Sequence, residues 1–297
     1  MKILITGGTG FIGRTLCHRL LDLEHELIVL SRRPEQVSKL CGEPATAISN
    51  LEDVSPDESI DAIINLSGEG IADARWTRRR KQKLLVSRIN ITEQLITYVA
   101  KAKYKPSVMI SGSAVGYYGN GYDTEHDEST DNPDDFAQRL CIQWEAAAQP
   151  VKAHGVRLCI LRIGLVIGND GGFVKRMLLP FKLGLGGRLG DGKQWMSWIH
   201  KDDLIAIIEM LLTSSDLEGN FNATAPEPVT NAEFSLCLAK NLNRPAIFPV
   251  PAIVLKLLLG EMSELLLGGQ KVIPENLMEQ NFRFQFKSLD SALKAIL

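Results

Sequence analysis

The sequence predicts an α/β protein with a doubly wound parallel sheet and a smaller, mostly helical C-terminal lobe. Over the first 165 residues, short β-branched runs alternate with longer helical patterns, as in right-handed βαβ units. The first strand contains the unbroken apolar run Ile3-Leu4-Ile5, which is typical of a parallel sheet covered on both faces. After residue 163, glycine-rich turns and further helical patterns replace the alternation. These three observations favour two lobes with a cleft between them.

The predicted elements follow one another in a simple order. Strands are predicted at residues 2–6, 26–31, 61–66, 107–111 and 157–163. Helical patterns begin near residues 13, 81 and 134, and later ones cover 204–212, 232–242 and 253–267. The first lobe is predicted to span residues 1–170, with return segments around 195–230, and the second lobe to span 171–297.

Composition argues against several classes of partner. The 297 residues carry 33 Lys and Arg against 35 Asp and Glu, a net charge of −2, with a pI of about 6.2. This balance disfavours a broad basic surface for nucleic acid or anionic lipid. No apolar run reaches the roughly 18–20 residues that a membrane span needs. We therefore expect a small-molecule substrate and neither a nucleic-acid nor a membrane partner.

The cysteines and histidines give no sign of a metal site or a disulfide scaffold. Five scattered cysteines form no CxxC pair, and the N-terminus MKILITGGTG lacks the apolar segment of a signal peptide. A reducing, cytoplasmic setting fits these features best. The five histidines show no metal-binding spacing. His126 lies in an acidic run at 123–128, which is expected to be a solvated loop.

The strongest local signal is a glycine-rich turn between the first strand and the first helix. Gly7, Gly10 and Gly13 form a GxxGxxG array in the order strand, turn, helix that a Rossmann dinucleotide site requires. The first glycine permits the tight turn, the second lets the backbone approach a pyrophosphate, and the third permits close helix packing. Free N–H groups at the helix start then face the phosphates. The sequence therefore predicts a Rossmann-type nucleotide-binding lobe.

The end of the second strand indicates which dinucleotide is bound. A fold selective for NAD places Asp or Glu about 20 residues past the turn. Here the stretch reads Ser31-Arg32-Arg33, with no carboxylate. Ser31 can hydrogen-bond a 2′-phosphate, and Arg32 can clamp it or stack on the adenine, while the alternative is that both arginines are solvated. NADP(H) is the predicted cofactor.

Several strings together resemble a known family. The sequence GGTGFIG at 7–13, NLSGE at 65–69, SGS at 111–113 and WIHKDDL at 198–204 resemble the extended short-chain dehydrogenase/reductases. Strings at 178–187, 231–234 and 269–274 are similar to the atypical epimerase-family branch, which carries a distinctive C-terminal domain, here about residues 248–295. The resemblance covers essentially the whole chain.

The resemblance implies a set of cofactor contacts. The backbone from Thr9 through Phe11 to Ile12 would hold the pyrophosphate, and Val166 would border the nicotinamide. Leu66, Ser67 and Gly68 would lie along the cofactor at the end of the third predicted strand, and Glu69 would contact a ribose or act as a base. Lys83 and Arg88 share roughly one helix face and would reach the cofactor phosphates. Lys83 also belongs to a basic run, and such runs are usually solvated. Relatives often pair through helices that flank the sheet, which makes a homodimer the oligomer to test.

The catalytic residues depart from the pattern of the superfamily. Ordinary members use Ser, Tyr and Lys, and Ser113 matches the serine, which orients the substrate oxygen. The Tyr-x-x-x-Lys pair is absent: anchored on Glu145, the Lys position falls on Cys141 and the Tyr position on Ala137, or on Phe136 if the register slips by one. Tyr117 and Tyr118 are candidate substitute acids, although aromatic residues there are as often packing residues.

Two functions remain open at this point. One is an NADP(H)-dependent oxidoreductase or epimerase-like enzyme on a small polar substrate that resembles a nucleotide sugar. The other is an NADP(H)-binding protein with little or no turnover, such as a sensor or a scaffold that the cofactor stabilises. The missing Tyr–Lys pair favours the second function, whereas the aromatic-containing C-terminal lobe favours the first.

Overall fold

The structure is a computed structural model that describes residues 1–121, 123–130 and 135–297. Within these residues the strands are β1 (Lys2–Thr6), β2 (Glu26–Leu30), β3 (Thr46–Ile48), β4 (Ala62–Asn65), β5 (Val108–Ala114), β6 (Glu125–His126), β7 (Arg157–Ile163), β8 (Leu165–Ile167), β9 (Trp195–Met196), β10 (Trp198–His200), β11 (Gly219–Ala223), β12 (Val229–Thr230) and β13 (Lys271–Val272). The α-helices are α1 (Phe11–Asp22), α2 (Val37–Cys41), α3 (Arg78–Lys101), α4 (Phe136–Ala148), α5 (Gly172–Lys182), α6 (Lys201–Thr213), α7 (Asn231–Asn241), α8 (Ala252–Leu259), α9 (Glu264–Leu267), α10 (Glu275–Glu279) and α11 (Leu289–Ile296).

The central sheet confirms the predicted fold class. Seven parallel strands lie in the order β11-β7-β5-β4-β1-β2-β3. The chain builds outward from β1 through β2 to β3, then returns to β4 on the other side of β1. This reversal makes the crevice between the carboxyl ends of β1 and β4 the place where such a sheet binds ligands. The Thr6 hydroxyl donates to Asn65 Oδ1 at 2.7 Å and ties these two strand ends together.

Apolar side chains cover both faces of the sheet, as the unbroken apolar strands predicted. On one face, Leu16 of α1 and Leu204 of α6 lie in a cluster with the fully buried Ile3 and Ile5 of β1. On the other face, Leu95 and Val99 of α3 lie in a second cluster with Leu4. Two covered faces explain why the strand reads as a continuous apolar run rather than an alternating one.

The structure contains several elements that the sequence did not predict, among them α5, β8 and β11. β3 was missed, because it is a three-residue edge strand without a distinct apolar run. The helix predicted at 253–267 is wrong as one element, since α8 ends at Leu259, and Gly260, at φ +60°, leads through a 3-10 turn into α9. The helix predicted to begin near residue 134 is α4, which begins at Phe136 with Asp135 as its N-cap, and Asp134 itself lies outside the described residues.

The C-terminal residues pack into a third apolar cluster and return to the sheet. Trp198, fully buried, lies in one cluster with Phe234 of α7 and Leu293 of α11. Asp203 of α6 accepts hydrogen bonds from the backbone amides of Gln285 and Phe286 at 2.7 and 3.0 Å. The string at 198–204 therefore joins the lobes. Among the described residues, we find no helix with both the length and the apolar character to cross a bilayer.

Candidate functional site

The glycine turn after β1 has no room for side chains at two positions. Gly7 has φ +75°, and a Cβ there would lie 2.5 Å from the carbonyl oxygen of Leu66. A Cβ on Gly13 would lie 2.2 Å from the carbonyl oxygen of Gly7. Glycine is therefore required for the tight turn and for the packing of α1 against it. Gly10 is the N-cap of α1 and supplies no side-chain cap, which leaves the first amides of the helix for a ligand.

A second loop covers the start of α1. Cβ atoms built on Gly168 and Gly171 would lie 2.9 and 2.5 Å from the Phe11 ring, so this loop packs directly on the aromatic side chain. Lys201 Nζ lies 2.5 Å from Asp170 Oδ1 and 5.0 Å from the centroid of the Phe11 ring. These contacts give Phe11 a packing role at the mouth of the turn. Neither Asp170 nor Lys201 was a predicted site residue, although Asp170 lies in the glycine-rich string around 168–172 and Lys201 in the string at 198–204.

Glu69, which follows β4, lies among three cations, Arg32 after β2 and Arg80 and Lys83 of α3. We define these four residues as the basic cluster. Arg32 Nη1 and Lys83 Nζ lie 3.0 and 3.2 Å from Glu69 Oε1, and Arg80 Nη1 lies 3.3 Å from Oε2. The side chains of Glu69 and Arg80 are each 13 % exposed, whereas Arg32 is 84 % and Lys83 59 % exposed. Arg80 is thus the buried partner of the carboxylate. Arg32 and Lys83 face solvent, and each has N–H donors that Glu69 does not use.

The charges of the basic cluster decide what it can do. The hydrogen bond from Arg32, together with Lys83 and Arg80, lowers the pKa of Glu69 to about 2. A carboxylate with this pKa is fully ionised at neutral pH and accepts protons poorly, so the expectation that Glu69 acts as a base is wrong. Three cations and one anion leave a local charge of +2, which complements a phosphate dianion.

Arg88 lies beside the cluster and holds the backbone that carries Glu69. Its Nη2 donates to the Glu69 carbonyl oxygen at 3.0 Å, and its Nη1 donates to the Leu84 carbonyl oxygen at 3.1 Å. A Cβ on Gly68 would lie 2.8 Å from the Arg88 guanidinium carbon, so this glycine permits the close approach. Burial lowers the pKa of Arg88 from its ordinary value. Arg88 thus orients the loop at 68–69 in this structure.

The other residues predicted to contact a cofactor lie in or after the elements that the sequence indicated. Ser31 follows β2, is 9 % exposed, and accepts a hydrogen bond from the Arg33 backbone amide at 3.1 Å. Arg33 is exposed and one residue farther from the crevice. Thr9 lies in the glycine turn, Ile12 in the first turn of α1, Leu66 and Ser67 at the end of β4, and Val166 in β8.

Ser113 belongs to a buried polar network at the end of β5. Its hydroxyl donates to Glu145 Oε1 at 2.7 Å, and Ser113 is 3 % exposed. Arg162 of β7 makes a bidentate pair with the same carboxylate, Nε to Oε1 and Nη2 to Oε2, both at 3.0 Å. The carboxylate therefore orients the serine hydroxyl, while the guanidinium neutralises the carboxylate. Neither Glu145, which served only to align the Tyr and Lys positions, nor Arg162 was a predicted site residue.

The two tyrosines predicted as substitute acids both contact Arg162. Tyr118 is fully buried, donates to Asn222 Oδ1 at 2.7 Å and accepts from Arg162 Nη1 at 2.9 Å. Burial raises the pKa of Tyr118 to about 12, which makes it a weak acid at neutral pH. The Tyr117 ring lies 3.4 Å from the guanidinium carbon of Arg162. His126, expected in a solvated loop, is 1 % exposed and stacks on Tyr118, so that expectation is wrong.

Helix α4 presents the two positions at which the superfamily carries Tyr and Lys. A Cβ on Gly116 would lie 3.3 Å from the Ala137 Cβ and 3.8 Å from Cys141 Sγ. Both positions thus face the segment that follows Ser113. Alanine has no titratable group, and burial raises the pKa of Cys141 to about 12. Neither residue offers the phenol or the amine of a Tyr–Lys pair.

Comparison with known proteins places the chain among epimerase-family proteins over its full length. Residues 3–223 match the NAD dependent epimerase/dehydratase family, and residues 250–296 match a domain of unknown function, DUF1731. The chain is 38 % identical over 304 residues to the chloroplastic epimerase family protein SDR39U1 homolog of Arabidopsis thaliana, covering all of this chain and 87 % of that protein. It is 37 % identical over 302 residues to epimerase family protein SDR39U1 of Bos taurus, with both chains covered completely.

Solved structures agree with this placement. The human epimerase family protein SDR39U1 (isoform 2), crystallised with NADPH, is similar with a TM-score of 0.89 at 35 % identity, covering 100 % of this chain and 99 % of that one. A nucleoside-diphosphate sugar epimerase from Corynebacterium glutamicum has a TM-score of 0.79 at 28 % identity, covering 99 % of this chain and 57 % of that one. The predicted resemblance is confirmed, and the chain belongs to the NAD dependent epimerase/dehydratase family.

Proposed function

We propose that this protein binds NADP(H) in the crevice between β1 and β4 and uses it to act on a small polar substrate similar to a nucleotide sugar. The observation that carries the cofactor choice is the basic cluster, whose charge of +2 lies beside a glycine turn built for a pyrophosphate. Human SDR39U1, which was crystallised with NADPH, supports the same choice. The free cysteines fit a reducing, cytoplasmic compartment.

Each group of the cofactor has residues suited to hold it. Gly7, Gly10 and the amides at the start of α1 would hold the pyrophosphate, and Arg32, Lys83 and Ser31 would hold the 2′-phosphate. Val166 would border the nicotinamide. When bound, the cofactor supplies or accepts a hydride. Glu69 then acts as a counter-charge that arranges the cations, rather than as a ribose ligand of the kind that NAD-selective sites use.

Ser113 is the residue that we propose to orient the substrate. Because its hydroxyl donates to Glu145 at 2.7 Å, its lone pairs are left to accept a hydrogen bond. A substrate hydroxyl, rather than a carbonyl, is the natural partner for a serine in this state. Glu145 and Arg162 keep this orientation fixed, and a fixed partner orients a bound hydroxyl more strongly than a rotating one does.

Binding without turnover is the alternative function, and specific observations favour it. Ala137 and Cys141 occupy the positions of the usual Tyr and Lys, and Tyr118 is held inside the fold with a pKa of about 12. A protein with these substitutions can bind the cofactor and signal its presence through stability, because a ligand that binds only the folded state stabilises that state.

A substrate screen that follows NADPH absorbance separates the two functions. We expect turnover with a member of a panel of nucleotide sugars and small carbonyl compounds, and with NADP⁺ and the matching alcohols in the reverse direction. Ser113→Ala should abolish this turnover and leave NADPH affinity unchanged. Tight NADPH binding without turnover on any member of the panel would establish the alternative.

The affinity for NADPH should depend on pH, whereas the affinity for NADH should not. The second pKa of a phosphate monoester is about 6, so the 2′-phosphate gains its second negative charge between about pH 5 and about pH 7. Glu69, with a pKa of about 2, keeps its charge throughout this range. NADPH should therefore bind more tightly as the pH rises through 6. Parallel titrations with NADH should be flat, and equal slopes for both cofactors would contradict a 2′-phosphate site.

A further inference from the structure

Two helices of the C-terminal lobe expose an unusual number of large apolar side chains. We define the apolar face as Leu179, Leu183, Leu185, Ile253, Leu257 and Leu258, which are between 57 % and 73 % exposed. The first three belong to α5 and the segment after it, and the others belong to α8. Soluble monomers rarely expose a contiguous apolar patch larger than a few hundred Å², and larger patches mark interaction sites.

The spacing of these residues puts them on continuous helix faces. In α8, Ile253, Val254, Leu257 and Leu258 are exposed at positions i, i+1, i+4 and i+5, while Leu255 alone is buried. This spacing makes a single apolar face that no other described element covers. In α5, the exposed Lys175, Leu179 and Lys182 recur at i, i+4 and i+7. α5 therefore presents cations and leucine side by side.

Hydrogen bonds tie both helices to one loop and thereby hold the two groups of apolar side chains on the same part of the protein. Arg75 donates through Nη2 to the carbonyl oxygen of Leu257 at 3.0 Å. Arg176 of α5 donates to the carbonyl oxygen of Ala72 at 2.7 Å and pairs with Asp73 at 2.6 Å. Residues 72–75 therefore bridge the two helices. The chain after α5 also pairs with the chain before α8, through the amide of Phe248 and the carbonyl of Gly186 at 3.1 Å.

The charge around the apolar face differs from that of the whole chain. Segments 172–190 and 244–260 contain six Lys and Arg (Lys175, Arg176, Lys182, Arg188, Arg244 and Lys256) and no Asp or Glu. The whole chain, in contrast, has 33 cationic against 35 anionic residues. Four carboxylates lie at the border. Asp73 pairs with Arg176, Glu261 pairs with Lys81, Glu264 interacts with Lys256, and Asp191 is exposed directly after the first segment. The two segments are thus basic within a slightly acidic protein.

We propose that this face docks on the surface of an anionic lipid bilayer, with the apolar side chains in the headgroup boundary and the cations on lipid phosphates. Exposed leucines on helices that carry cations are the pattern of interfacial membrane binding. A second copy of the chain fits less well, because it would bring six cations against six. A peptide partner fits less well too, because peptides are held in grooves, whereas these side chains protrude. The expectation of no membrane partner followed from the charge of the whole chain, which hides this local surface.

Vesicle co-sedimentation of the full chain, without any cofactor, tests the proposal independently of the proposed function. We expect the protein to sediment with vesicles of phosphatidylcholine mixed with phosphatidylglycerol, to stay in solution with phosphatidylcholine alone, and to be released by high salt. The double variant Ile253→Ser/Leu257→Ser should weaken this binding about tenfold or more. Lys175→Glu/Lys182→Glu should also weaken it, and the effect should be largest at low salt.

Leu23→Ser is the matched control, since Leu23 is 40 % exposed at the end of α1, outside the apolar face. It should leave vesicle binding unchanged, and all variants should keep the melting temperature of the parent because the altered side chains are exposed. Failure of the parent chain to bind the anionic vesicles overturns the proposal. A dimer that the Ile253→Ser/Leu257→Ser variant abolishes also overturns it, and assigns the face to a second copy.

Discussion

Replacing Arg162 with methionine should lower the free energy of unfolding by about 3–5 kcal/mol, the cost of breaking a buried ion pair from one side. Arg162 is 1 % exposed, and its guanidinium makes both hydrogen bonds to Glu145 and a further one to Tyr118. Without it, the buried Glu145 carboxylate loses its counter-ion and keeps the hydrogen bond from the Ser113 hydroxyl. Urea denaturation of the variant and the parent measures the difference.

Two further variants show whether the loss of stability comes from the unpaired, buried charge of Glu145. Arg162→Met combined with Glu145→Leu removes both charges, and should recover most of the lost stability because an apolar pair leaves no buried ion. Arg176→Met breaks an ion pair whose side chains are 59 % and 54 % exposed, and should cost no more than about 1 kcal/mol. A loss below about 1 kcal/mol for Arg162→Met would contradict the buried network.

Arg32→Ala should weaken NADPH binding by about tenfold to 150-fold, which corresponds to about 1.5–3 kcal/mol for a hydrogen bond to a charged group. The side chain is 84 % exposed and uses one nitrogen on Glu69 at 3.0 Å, so the rest of its planar group is free for a phosphate. NADH lacks the 2′-phosphate, and its affinity should change little. Isothermal titration of both cofactors against both proteins measures the two effects.

The control for this variant should remove a charge without touching the basic cluster. Arg79 is exposed and adjacent in sequence to Arg80, which makes Arg79→Ala a matched loss of one cation. It should reduce NADPH affinity only through the long-range electrostatic attraction of the protein for the cofactor, and the reduction should vanish in high salt because salt screens that attraction. If Arg32→Ala weakened NADH as much as NADPH, Arg32 would be acting on the adenine rather than on the phosphate.

The sequence predicted the parts of the site that follow local rules. The glycine turn was recognised because a Rossmann turn leaves no room for a Cβ at its first and third glycine, here Gly7 and Gly13. The residues at the end of β4 were recognised because parallel strands deliver their carboxyl ends to one crevice. The doubly wound α/β fold followed from the alternation of strands and helices, and the seven-stranded parallel sheet confirms it.

The parts that were missed depend on contacts between residues far apart in sequence. Arg80 lies in a basic run of a kind that is usually solvated, and only the fold brings it under Glu69 at 3.3 Å. Arg162 reads as one residue of an apolar strand, yet it organises Ser113, Tyr118 and Glu145. His126 is polar and lies among acids, but pairing of its strand with β13 buries it. No local pattern identifies such partners.

Calorimetric titration of the purified, unmodified chain with NADPH and then with NADH tests the central claim most directly. A glycine turn beside a site of charge +2 requires that NADPH bind, and that it bind at least about tenfold more tightly than NADH. Absence of any binding heat with NADPH at millimolar concentration, or equal affinity for the two cofactors, would contradict the account.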